Sequence, residues 1–255
     1  MNEKHRRHLQ EARYTFPYHY IPTWDGRRFS QTVALKWGYV YMSYLHFVLQ
    51  QIRATAFDAL LDVGCGDGRF LKELRALFPQ KRLVGLDISQ RAITFARLMV
   101  PEVEWMTGDV RRPGALQGAF DALTLIETLE HIPPDDMKGF VDGLAACLRP
   151  GGRIFLTVPS CNVAVDRKHY QHFDLKSLTA VLSPRFDIDT VHYLNKKSLF
   201  VKKVLRKCIS NQFFHLNQRH LLRGLFCIYR RWFLVTDAAH CSRIALVGTR
   251  RGDRR

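Results

Sequence analysis

The 255-residue chain carries 39 Lys and Arg against 23 Asp and Glu, a formal net charge of +16. Its 47% hydrophobic share is enough for a packed core and excludes global disorder. No apolar run reaches the ~18–20 residues of a membrane-spanning helix. The charged start MNEKHRRHLQEAR is not that of a secretory signal, and six scattered cysteines without a C-x-x-C pair suit a reducing, cytoplasmic setting. A surplus of positive charge attracts nucleic acid, anionic membrane surfaces or phosphorylated substrates.

Residues 1–54 read as an N-terminal cap, with an aromatic stretch YTFPYHYIPTW at 14–24 and a helix over 31–53. The stretch can serve as a lid over an acceptor pocket or cover a sheet edge. From Ala59 the chain alternates short apolar runs with helix-period segments, the mark of a parallel-sheet domain covering 55–255. Strands are predicted at 59–64, 82–88, 103–110, 120–127 and 153–160. Helices are predicted at 68–78, after Ser89 as an N-cap, and at 137–152. Two further strands, 186–194 and 243–250, form a C-terminal hairpin interrupted by a basic insertion at 195–242. Between Lys196 and Val235 lie ten Lys or Arg and no acid, interleaved with apolar residues at helical spacing. Such a segment can lie on an anionic membrane through 196–235, bind RNA phosphates, or pack its apolar face on the domain.

Two motifs carry the chemistry. The first strand runs into Asp62-Val63-Gly64-Cys65-Gly66-Asp67-Gly68, a turn whose glycines let backbone approach a ligand closely. Its spacing is G-x-G-x-G rather than G-x-G-x-x-G, and Asp62 would repel a pyrophosphate, so a dehydrogenase ranks last. Asp87 and Asp109 close the second and third strands. The fourth ends in LIETLEHIPP, which sets Glu127, Glu130 and His131 at the mouth of a buried strand. His131 has a side chain suited to accepting a proton near neutral pH. Two carboxylates and two imidazoles, with His172 or His169 as the fourth group, also match a divalent cation.

LLDVGCGDG, LVGLDIS and TGDV together resemble the class I S-adenosylmethionine-dependent methyltransferases, over roughly 55–195 plus the last strand. The resemblance implies an α/β Rossmann-like fold, with a mostly parallel seven-stranded sheet ending in an antiparallel hairpin. It implies S-adenosyl-L-methionine as cofactor. Asp62, Gly64, Cys65, Gly66 and Gly68 would serve its amino-acid end, Asp87 and Ile88 the ribose, Asp109 and Val110 the adenine, and Ile126 and Glu127 the floor. His131, Glu130 and His172 would stand at the acceptor. The Glu-x-x-Glu-His pattern is similar to that of ubiquinone-pathway O-methyltransferases and of small-RNA 2′-O-methyltransferases. KHYQHF resembles a segment of bacterial small-molecule and glycan methyltransferases. The expectation is therefore O-methylation of a small-molecule, glycan or lipid-linked acceptor in the cytoplasm, at the inner membrane face if the insertion binds lipid. A divalent cation is the less favoured addition. An RNA enzyme and a non-catalytic binding protein on the same fold are the rivals.

Overall fold

The computed structural model describes residues 38–198 and 218–252, together with 6, 19, 22–24, 29–31, 206–209 and 216. Most of the aromatic stretch, and Lys202, Lys203, Phe213 and Phe214 of the insertion, lie outside the described residues.

Short strands β1 (Pro22–Trp24) and β2 (Phe29–Gln31) pair antiparallel and precede α1 (Gly38–Arg53). The predicted helix over 31–53 is therefore shorter at its start, since Gln31 belongs to β2. Then come β3 (Ala59–Val63), α2 (Arg69–Leu77), β4 (Arg82–Asp87), α3 (Gln90–Met99), β5 (Glu104–Thr107), β6 (Phe120–Ile126), α4 (Met137–Cys147) and β7 (Leu148–Pro159). The Ser89 side chain accepts from the Ala92 amide and caps α3, as the sequence indicates. Helix α4 ends at Cys147, ahead of the expected Pro-Gly-Gly turn at 150–152, and the residues after it already belong to β7. Pro150 lacks an N–H, Gly151 takes φ +76°, and Leu148 already pairs with Phe120. The chain closes with α5 (Leu175–Leu182), β8 (Phe186–Lys196), α6 (Arg206–Ile209), α7 (Arg219–Trp232), β9 (Val235–Thr236) and β10 (Cys241–Arg250).

The main sheet has the order β5-β4-β3-β6-β7-β10-β8-β9. β5 to β7 run parallel, while β10 inserts antiparallel between β7 and β8. The expected hairpin is present. The sheet has eight strands and not seven, because two residues of the insertion, Val235 and Thr236, pair with Leu194 and Tyr193 and add an edge strand. Strands such as Ala59–Val63 are buried at every position, as a sheet covered on both faces requires. One core, from Leu60, Leu71 and Ile93 to Phe226 and Tyr229, lies on the face that carries α1 and α7. The other, with Leu61, Leu123, Phe140 and Leu178, lies under α4 and α5. Helix α1 is buried almost all round, which explains its apolar sequence without a membrane. Among the described residues no helix is long and apolar enough to cross a membrane.

The insertion is tied to the domain by one face of α7. Leu222, Phe226 and Tyr229 are buried there, with Phe226 4.7 Å from Trp24 and Tyr229 4.8 Å from Tyr39 between ring centroids. Asn195, at φ +58°, donates from Nδ2 to both the Ser43 and Tyr229 hydroxyls, so β8, α1 and α7 share one buried polar knot.

Candidate active site

Strand order reverses between β3 and β6, and open α/β sheets bind ligands at that point, outside the carboxyl ends of the strands. A cavity lies there, lined by Gly64, Asp87, Ile88, Asp109, Val110, Glu127, Thr128 and His131 on the strand side and by Arg6, Lys168 and Tyr170 at its rim.

The glycine turn after β3 is held in left-handed backbone, with φ +72°, +57° and +79° at Gly64, Gly66 and Gly68. A Cβ on Gly64 would meet Thr128 at 2.3 Å, and one on Gly68 would meet Trp105 at 2.5 Å. Only Gly64 of the three lines the cavity; the other two shape the turn. Asp87 fixes this turn from the next strand. Its Oδ2 accepts from the Gly66 amide at 2.8 Å and its Oδ1 from the Ser89 amide at 2.8 Å. Asp109 is clamped by Arg111, which donates from its backbone and side chain. Burial would raise the Asp109 carboxyl, but these hydrogen bonds outweigh it and hold it below its ordinary value.

Asp62 lies beneath the turn, 2% exposed, and accepts from the Thr124 hydroxyl at 2.6 Å. Burial pushes its carboxyl up to about 7, the Thr124 bond opposing and Asp87 adding to the rise. Cys65 is also buried, its thiol pushed up mainly by burial. Neither lines the cavity, and Ile126 stands behind it too. Asp67, fully buried, pairs with His19 of the N-terminal cap at 2.9 Å.

Asp62 supplies a stability prediction. An acid whose folded pKa is raised stabilises the fold below its unfolded pKa and loses that contribution as pH rises through the folded one. Between about pH 4 and 7 the ligand-free wild type should therefore lose on the order of a few kcal/mol relative to Asp62→Asn. Denaturant melts of both proteins at pH 4 and pH 8 check this; a constant difference across pH would remove Asp62 as the cause.

The end of β6 does not gather its acids at one point. Glu127 takes φ +51°, and both its carboxylate oxygens are engaged, accepting from Thr157 Oγ1 at 3.0 Å and Arg243 Nε at 2.9 Å. Arg243 in turn lies 4.5 Å over the Tyr44 ring. Burial opposes the Arg243 charge, yet Glu127 and Tyr44 overcome it, so the guanidinium stays protonated. The chain then enters a tight turn at Leu129–His131, which sends Glu130 inward to 1% exposure. Burial, and then the charge of Glu127, raise the Glu130 carboxyl well above its ordinary value. Its Oε2 has no hydrogen-bond partner among the described residues.

Glu130 meets His131 and His169, with one ligand atom of each within 4.8 Å of the others. The imidazole tautomers follow from the hydrogen bonds. His172 Nδ1 lies 3.0 Å from the Val163 carbonyl and must donate, so its Nε2 accepts from His169 Nδ1 at 2.8 Å. His131 Nδ1 lies 3.2 Å from the Lys168 carbonyl and donates likewise. The Nε2 atoms of His131 and His169 are then the acceptor nitrogens. Burial first, then the charges of His131, Lys168 and His172, lower His169 to about 2, which keeps it neutral. His172 supports His169 and does not itself join the cluster. The structure thus separates Glu127 from the expected four-residue set and chooses His169 over His172. Sequence reasoning missed Arg243 altogether; its only signal is a lone charge opening an apolar strand.

A glycine turn under a switch-point cavity, Asp87 closing the next strand and Asp109 just past the one after it stand on a sheet with the class I methyltransferase fold. The family described as a methyltransferase domain matches residues 60–152. It is 29% identical over 139 residues to a trans-aconitate 2-methyltransferase of Azoarcus sp. (strain BH72), covering 54% of this chain and 52% of that protein. It is 35% identical over 103 residues to a ubiquinone biosynthesis O-methyltransferase of Xanthomonas axonopodis pv. citri (strain 306), covering 38% and 41%. The chain thus spans about half the length or less of these curated relatives. Among solved structures, the N-methyltransferase NodS from Bradyrhizobium japonicum WM9, in complex with S-adenosyl-L-homocysteine, matches with TM-score 0.58 at 16% identity over 84% of this chain and 88% of that one. The [4+2]-cyclase SpnF matches with TM-score 0.65 at 15% identity over 98% and 96%. These likenesses establish the fold; the reaction has to be argued from the site.

Proposed function

We propose that the protein transfers a methyl group from S-adenosylmethionine to a hydroxyl oxygen of a small-molecule, glycan or lipid-carried acceptor. The observation that carries this is the meeting of His131, His169 and buried Glu130 beside the cavity whose walls hold Asp87 and Asp109. The chain's residues fit the cofactor. Asp87, Asp109 and Glu127 present negative charge to a ligand bearing an ammonium and a sulfonium, while Leu86, Ile88, Val110 and Phe140 offer an apolar wall for a base. When bound, the cofactor supplies a methyl group open to in-line displacement. The protein's part is to orient the acceptor and take its proton. His131, its Nδ1 held by the Lys168 carbonyl, accepts that proton at Nε2. Glu130, buried beside His131 with its carboxyl pushed up by burial, stands behind the cavity wall rather than in it. His169, neutral with its tautomer set by His172, packs against the His131 ring and helps fix its position. Oxygen as the target is supported by IETLEH standing where amino-directed nucleic-acid enzymes carry an Asn-Pro-Pro-Tyr type motif, and by the relatives named as O-methyltransferases.

One observation favours a second reading, in which the same three groups hold a divalent cation: the buried Glu130 Oε2 has no hydrogen-bond partner among the described residues. Such an ion would bind two neighbouring acceptor oxygens and lower the pKa of one. Calorimetry of S-adenosylmethionine into the protein, with EDTA and with added magnesium or zinc, tests both readings. The expected result is saturable binding with a Kd on the order of micromolar (~−8 kcal/mol) that EDTA leaves unchanged. A cation heat lost in Glu130→Gln favours the second reading, and absence of cofactor binding overturns the proposal.

A further inference from the structure

Helix α7 has two apolar faces, and among the described residues the domain covers one of them. Leu222, Phe226 and Tyr229 are buried, but Leu221 (57% exposed), Ile228 (49%) and Trp232 (66%) face outward, and Val235 (58%) follows just beyond the helix. At 100° per residue, positions 221, 228 and 232 fall within about 40° of one another, so they form one stripe along the helix. Arg219, Arg223, Arg230 and Arg231 belong to the same helix and form no ion pair among the described residues. No acid occurs between Lys196 and Val235.

The helix also has a defined place relative to the cavity. It lies in the connection from β8 to β10, which leaves the sheet at the Lys196–Cys241 pair. The neighbouring pair Arg243–Pro159 marks this as the carboxyl end of the parallel strands, the edge on which the cavity opens.

We propose that this stripe seats the protein on an anionic lipid surface, with Leu221, Ile228 and Trp232 at the boundary of headgroups and acyl chains and the arginines among the phosphates. Charge decides among occupants. A second copy of the chain would bring arginine-rich helices together with no acid of either helix to offset them, and an RNA backbone would leave the apolar stripe facing water. The docking stands on the helix alone. That it turns the cavity's edge of the sheet toward lipid-carried acceptors rests on the methyl-transfer reading.

The experiment is sedimentation of the full chain with phosphatidylcholine–phosphatidylglycerol vesicles, with pure phosphatidylcholine as control, alongside calorimetry with S-adenosylmethionine. The expected result is binding to anionic vesicles, with at least ~10-fold more lipid needed for half-binding in the double variant Leu221→Glu/Ile228→Glu, whose cofactor affinity is unchanged. Wild-type protein that stays in the supernatant overturns the docking, as does a double variant that binds like wild type. Light scattering that shows a dimer lost in the double variant also overturns it, because the stripe then belongs to a second copy. Vesicle binding without cofactor binding sinks the methyl-transfer reading and leaves the docking in place; the reverse result does the opposite.

Discussion

Replacing Asp87 by alanine should weaken S-adenosylmethionine binding by about 2–3 kcal/mol, roughly 30- to 150-fold, the scale of a lost pair of charge-assisted hydrogen bonds. The residue has two duties. As a cavity wall it would, on the proposed reading, offer carboxylate oxygens to ribose hydroxyls, and as a brace it holds the Gly66 and Ser89 amides. Asp87→Asn separates these, since its amide oxygen still braces one N–H while the charge is gone. Its affinity should fall between those of wild type and the alanine variant. Calorimetry gives the numbers, and a thermal melt of each ligand-free protein reports how much is bracing. Unchanged affinity in Asp87→Ala would move the ribose contact elsewhere.

The second large effect is expected at His131. His131→Ala should lower kcat by about 10²–10⁴, the usual worth of a positioned base, while cofactor affinity stays within about twofold. The readout is methyl transfer to a catechol probe, with calorimetry as control. A loss confined to affinity would show that His131 is no base. His172 acts one step further out, because it sets the tautomer of His169 through the Val163 carbonyl. His172→Ala should therefore cost less than His131→Ala. His172→Gln should restore most of the rate, because a carboxamide can accept from His169 Nδ1 and donate to the Val163 carbonyl as the imidazole does.

Where the sequence was legible, local physics determines the structure. Buried parallel strands must be apolar along their whole length, so ALLDV and RLVGLD could be placed within a residue. Glycines at 64, 66 and 68 announce backbone that other residues avoid, and a polar residue closing an apolar strand announces the ligand edge. The acceptor cluster was legible only in part. Glu127 and Glu130 are three apart and would share a face of a helix, but Glu127 turns left-handed and the two diverge. His169 and His172 both sit in one loop, and which meets His131 depends on the Val163 carbonyl, which no local pattern reports. Helix α7 shows the same limit. Its apolar residues cover a wide arc, and periodicity does not say that Phe226 faces the domain while Ile228 faces out. The edge strand Val235–Thr236 is two residues long, too short to leave a pattern.

The place of β10 bears on how this protein is made. It is the last strand in chain order, yet it lies inside the sheet between β7 and β8. A nascent chain that has not yet delivered Cys241–Arg250 holds two long, open ladders that can pair with another chain as readily as with the missing strand. The same late segment brings Arg243, the partner of the Glu127 carboxylate at the cavity wall. Until it arrives, that carboxylate lacks its counter-charge, so completion of the sheet and assembly of the reaction site are one event. A ribosome-stalled intermediate should therefore be aggregation-prone, with the β7 and β8 edges open and the Glu127 wall of the cavity unbraced.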